Sequence, residues 1–311
     1  MKNRNTLVMA ILPVLACVAL LATAQAVNPP PDGGYGGNNT AEGTDALFSL
    51  TSGVWNVAVG FQALHGDTIG NQNTATGYRA LFSNMSGDKS TAYGSQALFS
   101  NTTGNDNVAT RFSTLFSNVI GNRNTGVGYR TLLFTNADDN TAIGWNALYN
   151  NRTGVQNTAI GSGALLHGSD NNDNTAVGFQ ALNNNGTGNF NTAIGDEALF
   201  NSTGDYNTAL GFDTGNDPGI GSNNIYVGDA GFAGDNNVIA IGGIAASGTD
   251  YTATFIGGIY GATVSTDAAA VYIDTDGHPG HGRYGCQWKT GGSACASWQG
   301  CPAPSHAQSQ S

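Results

Sequence analysis

The chain has 311 residues, a formal net charge of −11 and only 10% charged residues, with 46 glycines among them. So acidic and cation-poor a chain is excluded as a nucleic-acid binder, because that binding rests on Lys and Arg contacts to phosphate. The five histidines fall at unrelated positions and no Ser/His/Asp, paired-carboxylate or phosphate-loop arrangement stands out, so no catalytic, cofactor-binding or metal residue is assigned and a non-enzymatic protein is expected.

The N-terminus reads as an export leader. Lys2 and Arg4 supply the positive end, Leu7 to Leu21 the apolar stretch, and Ala24-Gln25-Ala26 a small-x-small cleavage site, which predicts a signal peptide over 1–26. Two other readings stay open. Val14-Leu15-Ala16-Cys17 has the form of a lipoprotein box with Cys17 as the acylated residue, although the residues after it stay apolar. An uncleaved anchor is the other, against which stand the short apolar run and Pro13. Cleavage would leave the mature chain two units more acidic, secreted or at the cell surface, and without a second apolar span to hold it in a membrane. Residues 27–38, with three prolines and four glycines, form an extended linker.

From Asn39 the chain repeats a single unit, Asn-Thr-Ala-x-Gly-x-x-Ala-Leu, followed by a polar Asn/Gly-rich turn. The copies open at Asn39, Asn56, Asn73, Ser90, Asn107, Asn124, Asn140, Asn157, Asn174, Asn191 and Asn207, with spacings of 17 or 16 residues. Two degenerate copies follow near Asn224 and Asn237. A short fixed period predicts a stacked array whose units cannot bury their apolar faces alone.

Each column of the array carries one physical message. Leu stands eight residues after the opening position from Leu47 to Leu199, and the run breaks at Gly215; an invariant apolar position of this kind is a buried ladder. The third position is Ala in ten copies and Gly126 in the other, so two backbones approach closely there. The next column runs from Glu42, Val59, Thr76 and Tyr93 to Ile143, Ile160, Val177, Ile194 and Leu210. Its change in character predicts partial exposure in the first half and cover in the second. Gly follows in every copy except the fifth, where Arg111 stands; a Gly column predicts positive φ or close approach at a corner, and Arg111 a local defect. Stretches such as Asn101-Thr102-Thr103-Gly104 and Asn201-Ser202-Thr203-Gly204 supply a second corner.

Gly and Asn disfavour helix interiors and no apolar recurrence at three and four residues is sustained. Gln96-Ala97-Leu98-Phe99 and its equivalents are the exception, fitting one helical turn per coil. The expected fold is therefore all-β: a parallel β-solenoid, or β-roll, of 11–13 coils with a 17-residue period. Seventeen extended residues span about 56 Å, enough for a flat coil of two short strands and two corners. Eleven coils stacked at strand spacing make a rod about 50 Å long. A coil this small encloses little volume, and the aliphatic side chains from Val127 onward need cover, so a homotrimer is expected.

The Thr column (Thr40, Thr74, Thr91, Thr125, Thr141, Thr158, Thr175, Thr192 and Thr208) reads first as hydroxyls bonding up and down the stack, and alternatively as a face that orders water and binds ice. The neighbouring Asn column reads as an inward or corner amide ladder. The turns do not align as a calcium-binding repeat.

The array spans 39–215, a β-rich closing segment 216–277 and an aperiodic tail 278–311. Cys286, Cys295 and Cys301 lie in that tail and leave one thiol over if two of them pair; His278, His281 and Cys286 make a weak metal pattern.

Copies such as Asn157-Thr158-Ala159-Ile160-Gly161 and Asn174-Thr175-Ala176-Val177-Gly178 resemble the head repeats of trimeric autotransporter adhesins, over roughly 180 residues. The longer unit, with Ala-Leu-Phe and Asn-x-Thr-Gly, is similar to repeats of bacterial and phage-derived tail-fibre-like proteins. The resemblance implies a trimeric left-handed β-roll that touches cell surfaces. Ile259 to Val264 and Ala270 to Gly277 are similar to the lead-in of a self-cleaving intramolecular chaperone, but His278 to Ser311 is too short and of the wrong composition to be one. The membrane barrel of the adhesins has no counterpart either. Three functions follow as expectations: an adhesive rod contacting other surfaces through a repetitive Asn/Thr face, with a cell-surface or glycan partner; a tail-fibre-like protein whose self-cleaving end was lost through truncation or frame shift; and a solenoid that binds glycan or ice.

Overall fold

The computed structural model describes residues 36–168 and 170–242. The leader, most of the linker, the closing segment beyond residue 242 and the tail with Cys286, Cys295 and Cys301 lie outside the described residues.

Thirteen three-residue strands stack in chain order into one parallel sheet. They are β1 (Thr40–Glu42), β2 (Val57–Val59), β3 (Thr74–Thr76), β4 (Thr91–Tyr93), β5 (Val108–Thr110), β6 (Thr125–Val127), β7 (Thr141–Ile143), β8 (Thr158–Ile160), β9 (Thr175–Val177), β10 (Thr192–Ile194), β11 (Thr208–Leu210), β12 (Ile225–Val227) and β13 (Ile239–Ile241). Strand alternation puts the central residue on one side of the sheet and its two neighbours on the other. The central Ala is buried from Ala41 to Ala209, which is why only the smallest side chains occur there. Each coil pairs in register with the next, Ala58 beside Ala75 and Ala159 beside Ala176. The chain is a parallel β-solenoid whose common step is 17 residues. The sheet continues past Gly215, and in its last coil Val238 rather than Asn237 occupies the opening position: its N–H donates to Asn224 Oδ1 at 2.9 Å.

The interior has an apolar and a polar side. Leu47 to Leu199 and the Ala before most of them are buried in a continuous cluster. Full burial of one such Leu contributes about 1.5–3 kcal/mol. The opening Asn column is buried too. Asn56 Oδ1 accepts the N–H of Asn73 at 2.9 Å, and Asn56 Nδ2 donates to the Gly70 carbonyl at 2.7 Å. The same pair of bonds recurs at Asn140, with Asn157 N–H and the Gly154 carbonyl. Asn is required because one short amide satisfies a donor and an acceptor that would otherwise be orphaned in the interior.

The expected helical turn is replaced by two left-handed residues. Gln96 and Leu98 have φ of 59° and 52°, and every Leu of the ladder lies between 49° and 54°. Alternating hand turns successive peptides along the rod axis, so Leu98 N–H donates to the Thr114 carbonyl of the next coil at 3.0 Å. A helix would spend that N–H within its own coil. The cost of a left-handed non-Gly residue is about 1–2 kcal/mol each and is offset by burial and inter-coil bonding.

The Gly column adopts φ of 125–146°. A Cβ at Gly77 would sit 2.6 Å from the carbonyl oxygen of Gly94, so close backbone approach excludes any other residue without a shift. Arg111 meets the same corner with φ 98°, and its N–H still reaches the Tyr93 carbonyl at 2.7 Å. β4, β5 and β6 keep their register across it, so the defect is one strained residue and not a break.

In the two 16-residue coils the missing residue comes from the second corner. Thr135 and Ser202 stand where Asn84, Asn101, Asn118, Asn151 and Asn185 stand in 17-residue coils, three residues after the Leu, and all of these are buried.

Candidate functional site

The repeated features that reach solvent are outward columns along the rod, so a candidate site is a surface and not a pocket. On the strand face the Thr column and the mixed column point outward. The mixed column is not covered in its second half: Ile143 is 40% exposed and Leu210 48%. Aliphatic side chains there are open because nothing among the described residues folds over this face. From β6 to β11 each of six consecutive coils pairs an outward Thr with an outward Val, Ile or Leu, and none of these positions is charged.

The hydroxyls of the Thr column make no hydrogen bonds with one another among the described residues; they face outward and the ladder of bonds belongs to the buried Asn. The expected Asn/Thr face therefore divides. Its Asn half lies inside the coil, and its Thr half lies outside beside aliphatic residues.

A second ladder runs two residues before the opening Asn and in the opposite direction. Asn71 N–H donates to Asp88 Oδ1 at 2.7 Å, Asp88 N–H to Asn105 Oδ1 at 2.8 Å, and Asn122 N–H to Asp138 Oδ1 at 2.7 Å. The inner Asn accepts from the following coil and these outer residues accept from the preceding one. Arg123 donates through Nε and Nη2 to Asp139 at 2.6 and 2.8 Å, which holds that carboxyl below its usual range.

Aromatic rows form the third surface. Phe48, His65, Phe82, Phe99 and Phe116 stack as a continuous ladder with ring centroids 5.0–5.2 Å apart. The residue after the corner Gly forms a parallel row, in which Phe61 stacks on Tyr78 at 5.6 Å and Phe112 on Tyr129 at 5.5 Å. Between the two rows lies a polar column. Arg79 Nε donates to Gln62 Oε1 at 2.9 Å, and its guanidinium sits 5.2 Å from the Tyr78 ring and 5.3 Å from the Phe82 ring. These rows were missed in the reading of the sequence, although aligning the copies on their corner Gly brings Phe61, Tyr78, Phe112, Tyr129, Trp145, Phe179 and Phe212 into one column.

Among the described residues no His, Cys, Asp or Glu group of three or more is placed to hold a metal ion. No helix long and apolar enough to cross a membrane occurs among the described residues. No family model, curated protein or solved structure matches the chain.

Proposed function

We propose that this protein is an exported, non-enzymatic rod that assembles as a homotrimer and contacts other surfaces through its repeated outward columns. The observation that carries the reading is the uncharged strand face of β6 to β11, where Ile143, Ile160, Ile194 and Leu210 stand exposed in a row. A contiguous exposed apolar patch of this extent marks an interaction surface. Association of three copies would cover the aliphatic row and leave the aromatic and polar columns free for a cell-surface or glycan partner. The adhesin-like and tail-fibre-like repeats support the same reading. Its test is the mass of the purified full chain by light scattering at micromolar concentration, together with retention of the chain on a cell surface. A trimer that adheres is expected; a stable folded monomer overturns the assembly, and a trimer with no adhesion overturns the contact function.

One observation favours a second reading. From β6 to β11 the outward Thr hydroxyls recur about every 4.8 Å along an uncharged face and are not spent on one another, so the face can order water and bind ice. A freezing-point hysteresis in the purified chain would establish this reading, and its absence would remove it.

A further inference from the structure

The wall of the coil that begins at the corner Gly changes sign along the rod. In the coils of β5 and β6 it carries Arg111 and Arg130 and no carboxylate. In the coils of β10 and β11 it carries Asp196, Glu197 and Asp213 and no cation. In the three coils between them the two residues after the corner Gly are uncharged: Trp145 with Asn146, Ser162 with Gly163, and Phe179 with Gln180.

Backbone bonds hold these residues in straight columns. The N–H of Asn146 donates to the Tyr129 carbonyl at 3.0 Å, Gly163 to Trp145 and Gln180 to Ser162 at 2.9 Å, and Glu197 to Phe179 and Asp213 to Asp196 at 2.8 Å. Each step along the column is therefore one strand spacing, about 4.8 Å. Arg130 lies two coils before Gly163 and Glu197 two coils after it, about 9.6 Å either way. Arg111 lies three coils before and Asp213 three coils after. Arg130 and Glu197 also share one left-handed backbone, with φ of 53° and 55°. Arg111 and Arg130 are exposed, and Glu197 and Asp213 partly so.

We propose that this wall binds a second copy of the chain running in the opposite direction, about a two-fold axis through the Ser162-Gly163 coil. That rotation sets Arg130 opposite Glu197 and Arg111 opposite Asp213, each pair occurring twice because the contact is isologous. It sets Trp145 against Phe179, 55% and 49% exposed, and Asn146 against Gln180. The coil on the axis has only a Ser and a Gly in these columns, so the two faces meet without obstruction there. A parallel copy would place Arg on Arg and Glu on Glu, which disfavours that orientation. The face from β5 to β11 is about 29 Å long and about 10 Å wide. It offers about 300 Å² per partner, less than half of the roughly 800 Å² of a standard interface, so one contact is weak. Assembly of several chains into one rod multiplies it. The contact is distinct from the strand face that joins three chains. It rests on the rod being a surface-contacting protein and names its partner as another such rod, met antiparallel as from an opposed surface.

The test is sedimentation of the purified full chain over a concentration series at about 0.15 M salt. There the Debye length of about 8 Å screens the net charge of −11 more than it screens directly opposed pairs. Reversible pairing of the smallest species is expected. Arg111→Glu with Arg130→Glu, and separately Glu197→Arg with Asp213→Arg, should each weaken pairing about tenfold or more. The chain carrying all four changes should pair as the unmodified chain does, because exchanging the signs restores every opposition. Arg and Glu already stand in this column at Arg130 and Glu197, so the melting curves should be kept. Ser162→Asp leaves the four charges alone and sets two carboxylates together on the axis; it too should weaken pairing about tenfold. Absence of pairing in the unmodified chain overturns the proposal, as does undiminished pairing in either twofold variant or no recovery in the fourfold one. The mass of the smallest species is scored separately: a monomer overturns the trimer and leaves this contact, whereas trimers that adhere to cells but do not pair leave the rod reading and overturn only this contact.

Discussion

Asn84 Nδ2 donates to Asp67 Oδ1 at 3.2 Å, and this bond ends an internal amide ladder on a buried carboxyl. Asn118 donates to Asn101 at 3.0 Å and Asn101 to Asn84 at 2.9 Å, so every amide in the run points toward Asp67. The Gly70 N–H also donates to Asp67 Oδ1, at 3.0 Å, while Oδ2 is buried without a partner. Burial outweighs these donors and raises the Asp67 pKa from 3.8 to about 6.

A raised folded-state pKa means that the folded chain holds this proton more tightly than the unfolded chain does. Its contribution to stability is complete below about pH 4 and is lost as pH rises through about 6. Asp67→Asn would extend the ladder in the manner of Asn84, Asn101 and Asn118 and carries no charge. It should therefore be more stable than the unmodified chain at pH 7.5 by up to about 3 kcal/mol, with the difference vanishing near pH 4. Denaturant unfolding at both pH values reads this directly. Equal stability at pH 7.5 would show that the carboxyl is hydrated.

The same column marks how far the fold was legible in the sequence. The Leu ladder, the Ala column and the Gly corner repeat without side-chain drift, and a position that tolerates no drift in a stacked array is sterically closed. The burial of the Leu column, the close approach at the Ala column and the positive φ of the Gly corner could be read at once. The Gln96–Phe99 turn could not, because no local propensity favours Leu at φ near 50°; inter-coil bonding imposes it. The Asn column read as an inward or corner ladder and is buried, whereas the side on which Thr falls was hidden for another reason. Both are small and polar, and only the strand alternation, with Ala facing in, sends Thr out and brings the preceding Asn round the corner to the interior. The aliphatic half of the mixed column read as covered because aliphatic composition reports a need for cover, not which chain supplies it.

Leu148→Asp places a carboxylate in the middle of the ladder, where the Leu side chain is buried between Leu132 and Leu165. An unpaired buried charge costs several kcal/mol at least. Neighbouring coils stabilise one another, so the loss should spread beyond one repeat. Hydrogen exchange is expected to rise across β6 to β9, and an unchanged melting curve would contradict the interior placement.

Tyr226 plugs the C-terminal end of the ladder. It takes the position of the central Ala in β12, beside Gly215 where the Leu column stops. Its ring is fully buried and its hydroxyl donates to Asp235 Oδ2 at 3.1 Å. Tyr226→Ala should cost about 3–5 kcal/mol through the cavity it leaves. Tyr226→Phe should cost about 1.5–3 kcal/mol through the lost bond to a carboxylate. Both losses should appear as faster hydrogen exchange in β12 and β13 before the rest of the rod; exchange rising evenly along the rod would rule out a local plug.

Arg111→Gly removes a side chain from a backbone with φ 98°. Relief of strain of about 1–3 kcal/mol exceeds the added chain entropy of Gly, about 0.5–1 kcal/mol, so a net stabilisation near 1 kcal/mol is expected. The reverse change at a neighbouring corner, Gly94→Ala, brings a Cβ within 2.6 Å of the Arg111 carbonyl carbon and oxygen and should destabilise. Thermal melts of the two variants moving in the same direction would contradict this account of the corner.

Deleting Asn73 to Asp106 removes two whole 17-residue coils and joins Gln72 to Asn107, an opening Asn in the same register. The Asn56 carboxamide then meets the N–H of Asn107 as it met that of Asn73, and the Leu and Ala columns stay continuous. The shortened chain should fold, with a rod about 10 Å shorter. If contact is spread along the columns, each coil contributes weakly and many act together, so adhesion should decline only in proportion to the coils removed. Abolition of adhesion by this deletion, with the trimer and the melting curve intact, would mean that contact is concentrated in the two missing coils and would overturn the distributed rod.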